Sequence, residues 1–364
     1  MDDLTRDGVP FRLTMTLSPP LVAMLQDPLL MKRCARRLEA LLKLSARESR
    51  RAATQDRSLF EATLAAEQEF ASLRELFLST YKRDLIAAFA RHQQTGTLEI
   101  ITCGATHGFL PLMRHTPEAV RAQIQVATAE FKRVFGREAE GIWLPECGYY
   151  EGVEAFLVDA GIRYSFLESH GITDSIPTPR YGVLAPILSE GGVAFFGRDM
   201  ESSRQVWSSE VGYPGDPDYR EFYRDAGYEV PVRELADFMK PDEPRRPVGL
   251  KRHRVTGKVG LHLKQPYVRS NALARAEAHA RHFVGERRKQ ATAAREDMDR
   301  PPLIVSPYDA ELFGHWWYEG PQFLEQVFRT LAESGDLEPL TPPLYFERHD
   351  ECDLVSPEMS TWGA

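Results

Sequence analysis

The chain has 364 residues, 43% of them hydrophobic and 27% charged, with a net charge of −8. This balance fits one large α/β barrel or two smaller globular domains, and it argues against a broad nucleic-acid or anionic-membrane surface. No run of about 20 apolar residues occurs, so no membrane-spanning helix is expected. Cys34, Cys103, Cys147 and Cys352 are scattered without a CxxC pair, which argues against a zinc ribbon or a disulfide framework. The polar, acidic start MDDLTRDGVPF reads as no secretory signal, and with reduced thiols it points to a cytoplasmic chain.

In chain order, FRLTMTLSP (11–19) alternates apolar and polar residues and predicts a strand that Pro19-Pro20 stops. A helix follows from about Leu21 to Lys43, interrupted or kinked near Pro28, and the Arg-rich residues 45–57 read as a helix end or linker. Leu59, Thr63, Ala66, Phe70, Leu73, Phe77 and Tyr81 recur at helical spacing, so one long helix is expected over 58–92, with Ser58 and Glu61 as a capping box. LEIITC (98–103) reads as a short buried strand, and a helix is expected from Pro117 to Phe135, closed by Gly136. Then come GIWLPECG (strand, loop), a helix at 151–160 and RYSFLESHG (strand, loop). Residues 176–260 are irregular, with strands in GVLAPILS and VAFFGRD. A helix near 270–296, a strand in PPLIVSPYD and a helix from about Pro321 to Ser334 complete the pattern. Repeated strand–loop–helix units imply a parallel sheet with crossover helices, and a chain of this size favours a closed barrel over an open sheet.

In such a barrel the chemistry sits just past the C-terminal ends of the strands. Strand ends here supply His107, Glu146, Glu168 with His170, and Asp309 with Glu311 and His315. A lone carboxylate at a strand end is commonly a helix cap or a loop charge. Two of them, Glu146 and Asp309, flanked by Trp143, Tyr149, Tyr150, Tyr308, Trp316, Trp317 and Tyr318, favour glycoside cleavage, since sugar rings stack on aromatic faces. A metal-dependent hydrolase using His107, Asp309 and His315 is less favoured, because neither HxH nor HExxH spacing occurs. Cys147 reads as a packed thiol rather than a nucleophile. The basic GLKRHRVTGK (249–258) reads as a solvated loop in preference to a phosphate site.

GATHGFLPL (104–112), WLPECGYY (143–150) and SPYDAELFGHWWYEGPQFL (306–324) resemble consecutive signature motifs of glycoside hydrolase family 57. FRLTMTLSPPLVAML, VWSSEVGYPGDPDYREFYRD and STWG sharpen the resemblance to the branching-enzyme branch of that family. The resemblance implies an incomplete (β/α)7-type barrel, a retaining mechanism on α-1,4-glucan such as amylose or glycogen, formation of α-1,6 branches, no metal or other cofactor, and a monomer. An α-amylase or a 4-α-glucanotransferase of the same fold is the alternative. By motif match Glu146 is the nucleophile, Asp309 the general acid/base, His107 a contact to the donor sugar, Trp362 an aromatic lining the groove and Tyr213 a further contact. Retention requires carboxyls about 5–5.5 Å apart, with Asp309 protonated and Glu146 ionised. The family's first strand carries a histidine-and-proline motif, and nothing before Phe11 supplies one. The expectation is therefore a barrel lacking its first strand and most of the C-terminal helical domain. The barrel would occupy 1–340, with the irregular insertion at about 176–260, and 341–364 would begin the helical region. An inactive glucan-binding fragment is the alternative from another class.

Overall fold

The structure, a computed structural model, describes residues 1–208 and 212–363. Ser209, Glu210 and Val211, inside the VWSSEVGYPGD motif, lie outside the described residues.

Among the described residues, seven strands form an open, partial β/α barrel. They are β1 (Leu13–Thr16), β2 (Leu98–Cys103), β3 (Ile142–Trp143), β4 (Tyr164–Leu167), β5 (Ile187–Ser189), β6 (Ala194–Gly197) and β7 (Asp353–Val355). The pairing order is β1-β2-β3 in one set and β4-β6-β5-β7 in the other. A parallel bridge from Gly141 to Tyr164 joins the two sets, and the Ser165 hydroxyl donates to the Ile142 carbonyl across the same seam at 2.7 Å. All pairings are parallel except β5 with β6. β2, β4 and β6 are buried along their whole length, as the near-continuous apolar runs LEIITC, YSFL and AFFG require of strands covered on both faces. β5 and β6 fall in GVLAPILS and VAFFGRD, the two strands expected within the otherwise irregular stretch.

Two segments are only half buried. Every residue of β1 is intermediate in exposure. Its Leu13 and Leu17 amides donate to Thr97 and Ile101 of the β2 side, so the backbone groups of Thr14 and Thr16 face away from β2. Residues 302–308, expected as a strand, form no ladder. Two backbone bonds, the Leu303 amide to the Leu184 carbonyl and the Asp199 amide to the Val305 carbonyl, tie them in, together with the Ser306 and Tyr308 hydroxyls, which donate to the Ser202 hydroxyl and carbonyl. Pro301, Pro302 and Pro307 have no N–H to offer a ladder.

The helices depart from the sequence periodicity where capping intervenes. Of the interruption or kink expected near Pro28, the structure has the interruption: Asp27 Oδ1 accepts from the Leu29 and Leu30 amides, and Pro28 opens a new helix, Pro28–Gln55. That helix runs through the Arg-rich stretch because Glu48, 1% exposed, is paired with Arg51 at 3.0 Å and Arg252 at 2.8 Å. The basic 249–258 loop is therefore tied into the protein at Arg252. The long helix expected over 58–92 is broken. A π-helical turn at Leu76–Thr80 follows Phe60–Glu75, and Asp84 caps a separate helix, Leu85–Gln94. Ser58 bonds Asp56 instead of capping with Glu61. Pro117–Phe135, closed by left-handed Gly136, and Arg269–Arg295 follow the periodicity closely.

The main core fills the space between the sheet and the helices Pro117–Phe135 and Val153–Asp159, around Ile100, Ile124, Ile142, Leu157 and Phe195. A second core, around Trp317, Tyr219, Phe323 and Ala276, joins Arg269–Arg295 to Gly320–Ser334. After β7 the chain returns to the sheet, where Ser360 bridges Tyr149. A Cβ on Gly171 would stand 2.3 Å from Ser360 Oγ. Gly171→Ala is therefore expected to cost about 1–3 kcal/mol by overpacking and to loosen residues 356–362. Denaturant unfolding and limited proteolysis check this; wild-type midpoints and cleavage rates would refute it.

Candidate active site

Three chain segments meet at Glu146. The first is the turn after β2. It carries His107, held at φ 56°, and His107 Nε2 lies 2.9 Å from Glu146 Oε1. Sγ of Cys103, the last residue of β2, lies 3.3 Å from His107 Nδ1. Burial pushes the Cys103 thiol up to about 12, so it keeps its proton and donates to Nδ1. That leaves the imidazole proton on Nε2, from which it is donated to Glu146.

The second segment is the turn after β3. Leu144 is extended, Pro145 follows, and Glu146 and Cys147 take φ of 58° and 53°. Side chains other than glycine rarely adopt this left-handed conformation, and it costs of order 1–3 kcal/mol per residue. Three of the six such non-glycine residues in the described chain are His107, Glu146 and Cys147. Gly148 completes the turn, and a Cβ there would stand 2.4 Å from the Phe109 ring. Cys147 is fully buried, its thiol pushed up by burial and donating to the Phe166 carbonyl. It is a packed thiol.

The third segment is Ser360–Trp362. The Thr361 hydroxyl and the Trp362 amide both donate to the Glu146 carbonyl, at 2.7 and 3.2 Å. The Trp362 indole N–H donates to Glu146 Oε2 at 3.0 Å, and its ring packs 4.9 Å from that of Trp143. Trp362, expected as a groove-lining aromatic, is thus also a direct partner of the carboxylate. Each oxygen of Glu146 accepts one N–H. The Trp362 bond, then the His107 bond, hold its carboxyl below the usual glutamate value.

Asp309 has the opposite environment. It lies half-buried beyond residues 302–308, and its carboxyl accepts no hydrogen bond among the described residues. Burial, then the charges of Glu311 and Glu146, raise its carboxyl above the usual aspartate value, against the lowering charges of His107 and Arg198. The site therefore holds an ionised, doubly bonded carboxylate within the electrostatic reach of a carboxyl biased toward its protonated form.

Other expected residues are placed differently. Tyr213 is buried in the second core, its ring 4.5 Å from and nearly parallel to His279 and its hydroxyl 2.7 Å from His282 Nδ1. Trp316 is 47% exposed and stacks on Phe222 at 4.5 Å, leaving it open to a ligand. Glu168 caps the helix Ser169–Thr173 and is ion-paired with Arg198 at 2.7 Å. Among the described residues, no cluster of three His, Cys, Asp or Glu side chains could hold a metal ion, and no helix is long and apolar enough to cross a membrane. The sequence reading missed Cys103 and Arg198. Both stand at strand ends, in LEIITC and VAFFGRD, and the same strand-end rule would have found them.

The sequence profile described as glycosyl hydrolase family 57 matches residues 25–256. A 1,4-α-glucan branching enzyme of Thermococcus kodakarensis is 36% identical over 308 residues, covering 77% of this chain and 43% of that protein, so the chain spans less than half of that relative's length. Among solved structures, the α-amylase AmyC of Thermotoga maritima superposes with a TM-score of 0.94 at 39% identity, covering 99% of this chain and 70% of that one. A family 57-type branching enzyme of Pyrococcus horikoshii gives 0.86 at 31%, covering 100% and 65%.

Trp362→Phe keeps the ring against Trp143 and removes the indole N–H. The Glu146 carboxyl then loses its largest stabilising bond, and its ionisation midpoint moves to higher pH. Carbon-13 carboxyl NMR titration reads this directly, and an unmoved midpoint would show that the bond does not hold the charge.

Proposed function

Since the chain belongs to glycosyl hydrolase family 57, we propose that it is a retaining α-glucan transglycosylase that cleaves α-1,4 linkages and forms α-1,6 branches. One observation carries the chemical part of this reading. The two carboxyls are pushed in opposite directions, Glu146 down by two N–H donors and Asp309 up by burial and neighbouring negative charge. Retaining glycoside transfer needs this division of roles.

In this mechanism Glu146 attacks the anomeric carbon of an α-1,4-linked glucosyl unit while the Asp309 carboxylic acid protonates the departing oxygen. A glucosyl ester on Glu146 results. Asp309, now a carboxylate, takes the proton from the 6-hydroxyl of an acceptor glucose, whose oxygen attacks the ester carbon and releases Glu146. His107 and Trp362 hold the nucleophile's two oxygens in place and disfavour its protonation. Trp316, with its open face, is proposed as a stacking surface for the glucan. The burial of Tyr213 leaves it a packing role.

The likeness to the Thermococcus relative supports branching, and the TM-score to AmyC supports hydrolysis as the second reading. Incubation with amylose separates them. New α-1,6 linkages, counted after debranching, with few new reducing ends support the transferase. Abundant reducing ends support the hydrolase, and glucan binding without either product supports a binding fragment. Glu146→Gln is expected to reduce turnover by about three orders of magnitude or more. Comparable turnover in that variant would remove the nucleophile assignment.

A further inference from the structure

Arg198 follows β6 directly, at the strand end where a barrel presents its chemistry. Its side chain is only 10% exposed, and it is fixed by two bonds. Nη1 donates to Glu168 Oε2 at 2.7 Å, and Nε donates to Ser203 Oγ at 2.8 Å. Glu168 is itself locked, its other oxygen accepting from the Ser169 amide and hydroxyl. The third guanidinium nitrogen, Nη2, has no partner among the described residues. The guanidinium carbon stands 5.5 Å from the centre of the Trp362 ring, whose N–H is bonded to Glu146. Its charge also reaches Asp309. Nη2 keeps some access to solvent beside the two carboxyls, so its N–H groups are free to meet a polar group that enters there.

We propose that Arg198 is the third charged member of the site, its guanidinium backing the Trp362 indole while its free Nη2 amine donates to a hydroxyl of the glucosyl unit held between Glu146 and Asp309. Glu168 and Ser203 are positioning residues for it. The proposal rests on the α-glucan reading above for the identity of the sugar, and on the structure alone for the placement of the charge.

The charge and the contact separate experimentally. The charged groups facing Asp309 are Glu311, Glu146, His107 and Arg198. Arg198→Lys keeps the positive charge and loses the planar fork. The Asp309 midpoint, read by carbon-13 NMR, is then expected to stay put while kcat/KM on amylose falls about tenfold to a hundredfold, the range for one charge-assisted hydrogen bond. Arg198→Met combined with Glu168→Gln removes both charges together, so that no ion is left buried alone. It is expected to lose activity similarly and also to raise the Asp309 midpoint. A thermal melt checks that each variant is folded. An arginine that merely joins two strand ends would leave folded variants with wild-type kcat/KM, and that result overturns the proposal whatever the midpoint does. If the wild type does not act on α-glucan, the proposed function fails, and the Asp309 midpoint of the double variant still decides whether the Arg198 charge belongs to the site.

Discussion

The site depends on one carboxylate accepting two N–H bonds from opposite ends of the chain. His107 lies 39 positions before Glu146, and Trp362 lies 216 positions after it. Neither donor is near Glu146 in sequence, so the sheet must bring them there. β2 and β3 are adjacent and parallel, which sets the turns bearing His107 and Glu146 side by side at the same end. β7 lies at the far side of the second set of strands, and the chain leaving it crosses back to the Tyr149 backbone to deliver Trp362. The close fit of Gly171 against Ser360 exists because that return path is tight.

The same arrangement explains how two like groups come to differ. Glu146 is exposed enough to meet a ligand but surrounded by donors, so its charge is favoured. Asp309 is half-buried beside Glu311 and Glu146 and, among the described residues, has no donor, so its charge is disfavoured. Burial alone would raise both. It is the two N–H groups on Glu146 that reverse the sign there. Cys103 contributes one step further back, because a thiol that keeps its proton fixes which nitrogen of His107 carries hydrogen.

Much of this was legible in the sequence, for a physical reason. The parallel strands are buried on both faces and so appear as unbroken apolar runs, and the polar residue that ends each run marks the reactive end of the sheet. LEIITC and YSFL were readable in this way and lead to His107 and Glu168; AFFG was readable too, but the Arg198 that follows it was passed over. Residues 302–308 carry the same apolar signal, but Pro302 and Pro307 and a partner on one side only leave them without a ladder. Helix breaks were harder to read, since the cap at Asp27 and the π turn at Leu76–Thr80 interrupt periodicities that continue across them. Side-chain direction was not legible at all. Tyr213 sits in a polar, Gly- and Pro-rich stretch that looks like a cleft loop, yet its ring is turned into the second core against His279. Trp362 looked like an aromatic surface, and nothing in the sequence signals that its indole N–H bonds the Glu146 carboxylate.

His107, Glu146 and Cys147 all hold backbone angles that glycine would adopt without penalty. Glycine there would relieve the strain, and His107 and Glu146 are the side chains on which the proposed chemistry depends. Any programme that ranks variants of this protein by thermal stability alone would therefore be drawn toward these positions and reward sequences that have lost the site. Stability gains have to be sought where the backbone is unstrained, such as the caps and exposed faces of Pro28–Gln55 and Arg269–Arg295, away from the two turns that hold the carboxylate in place.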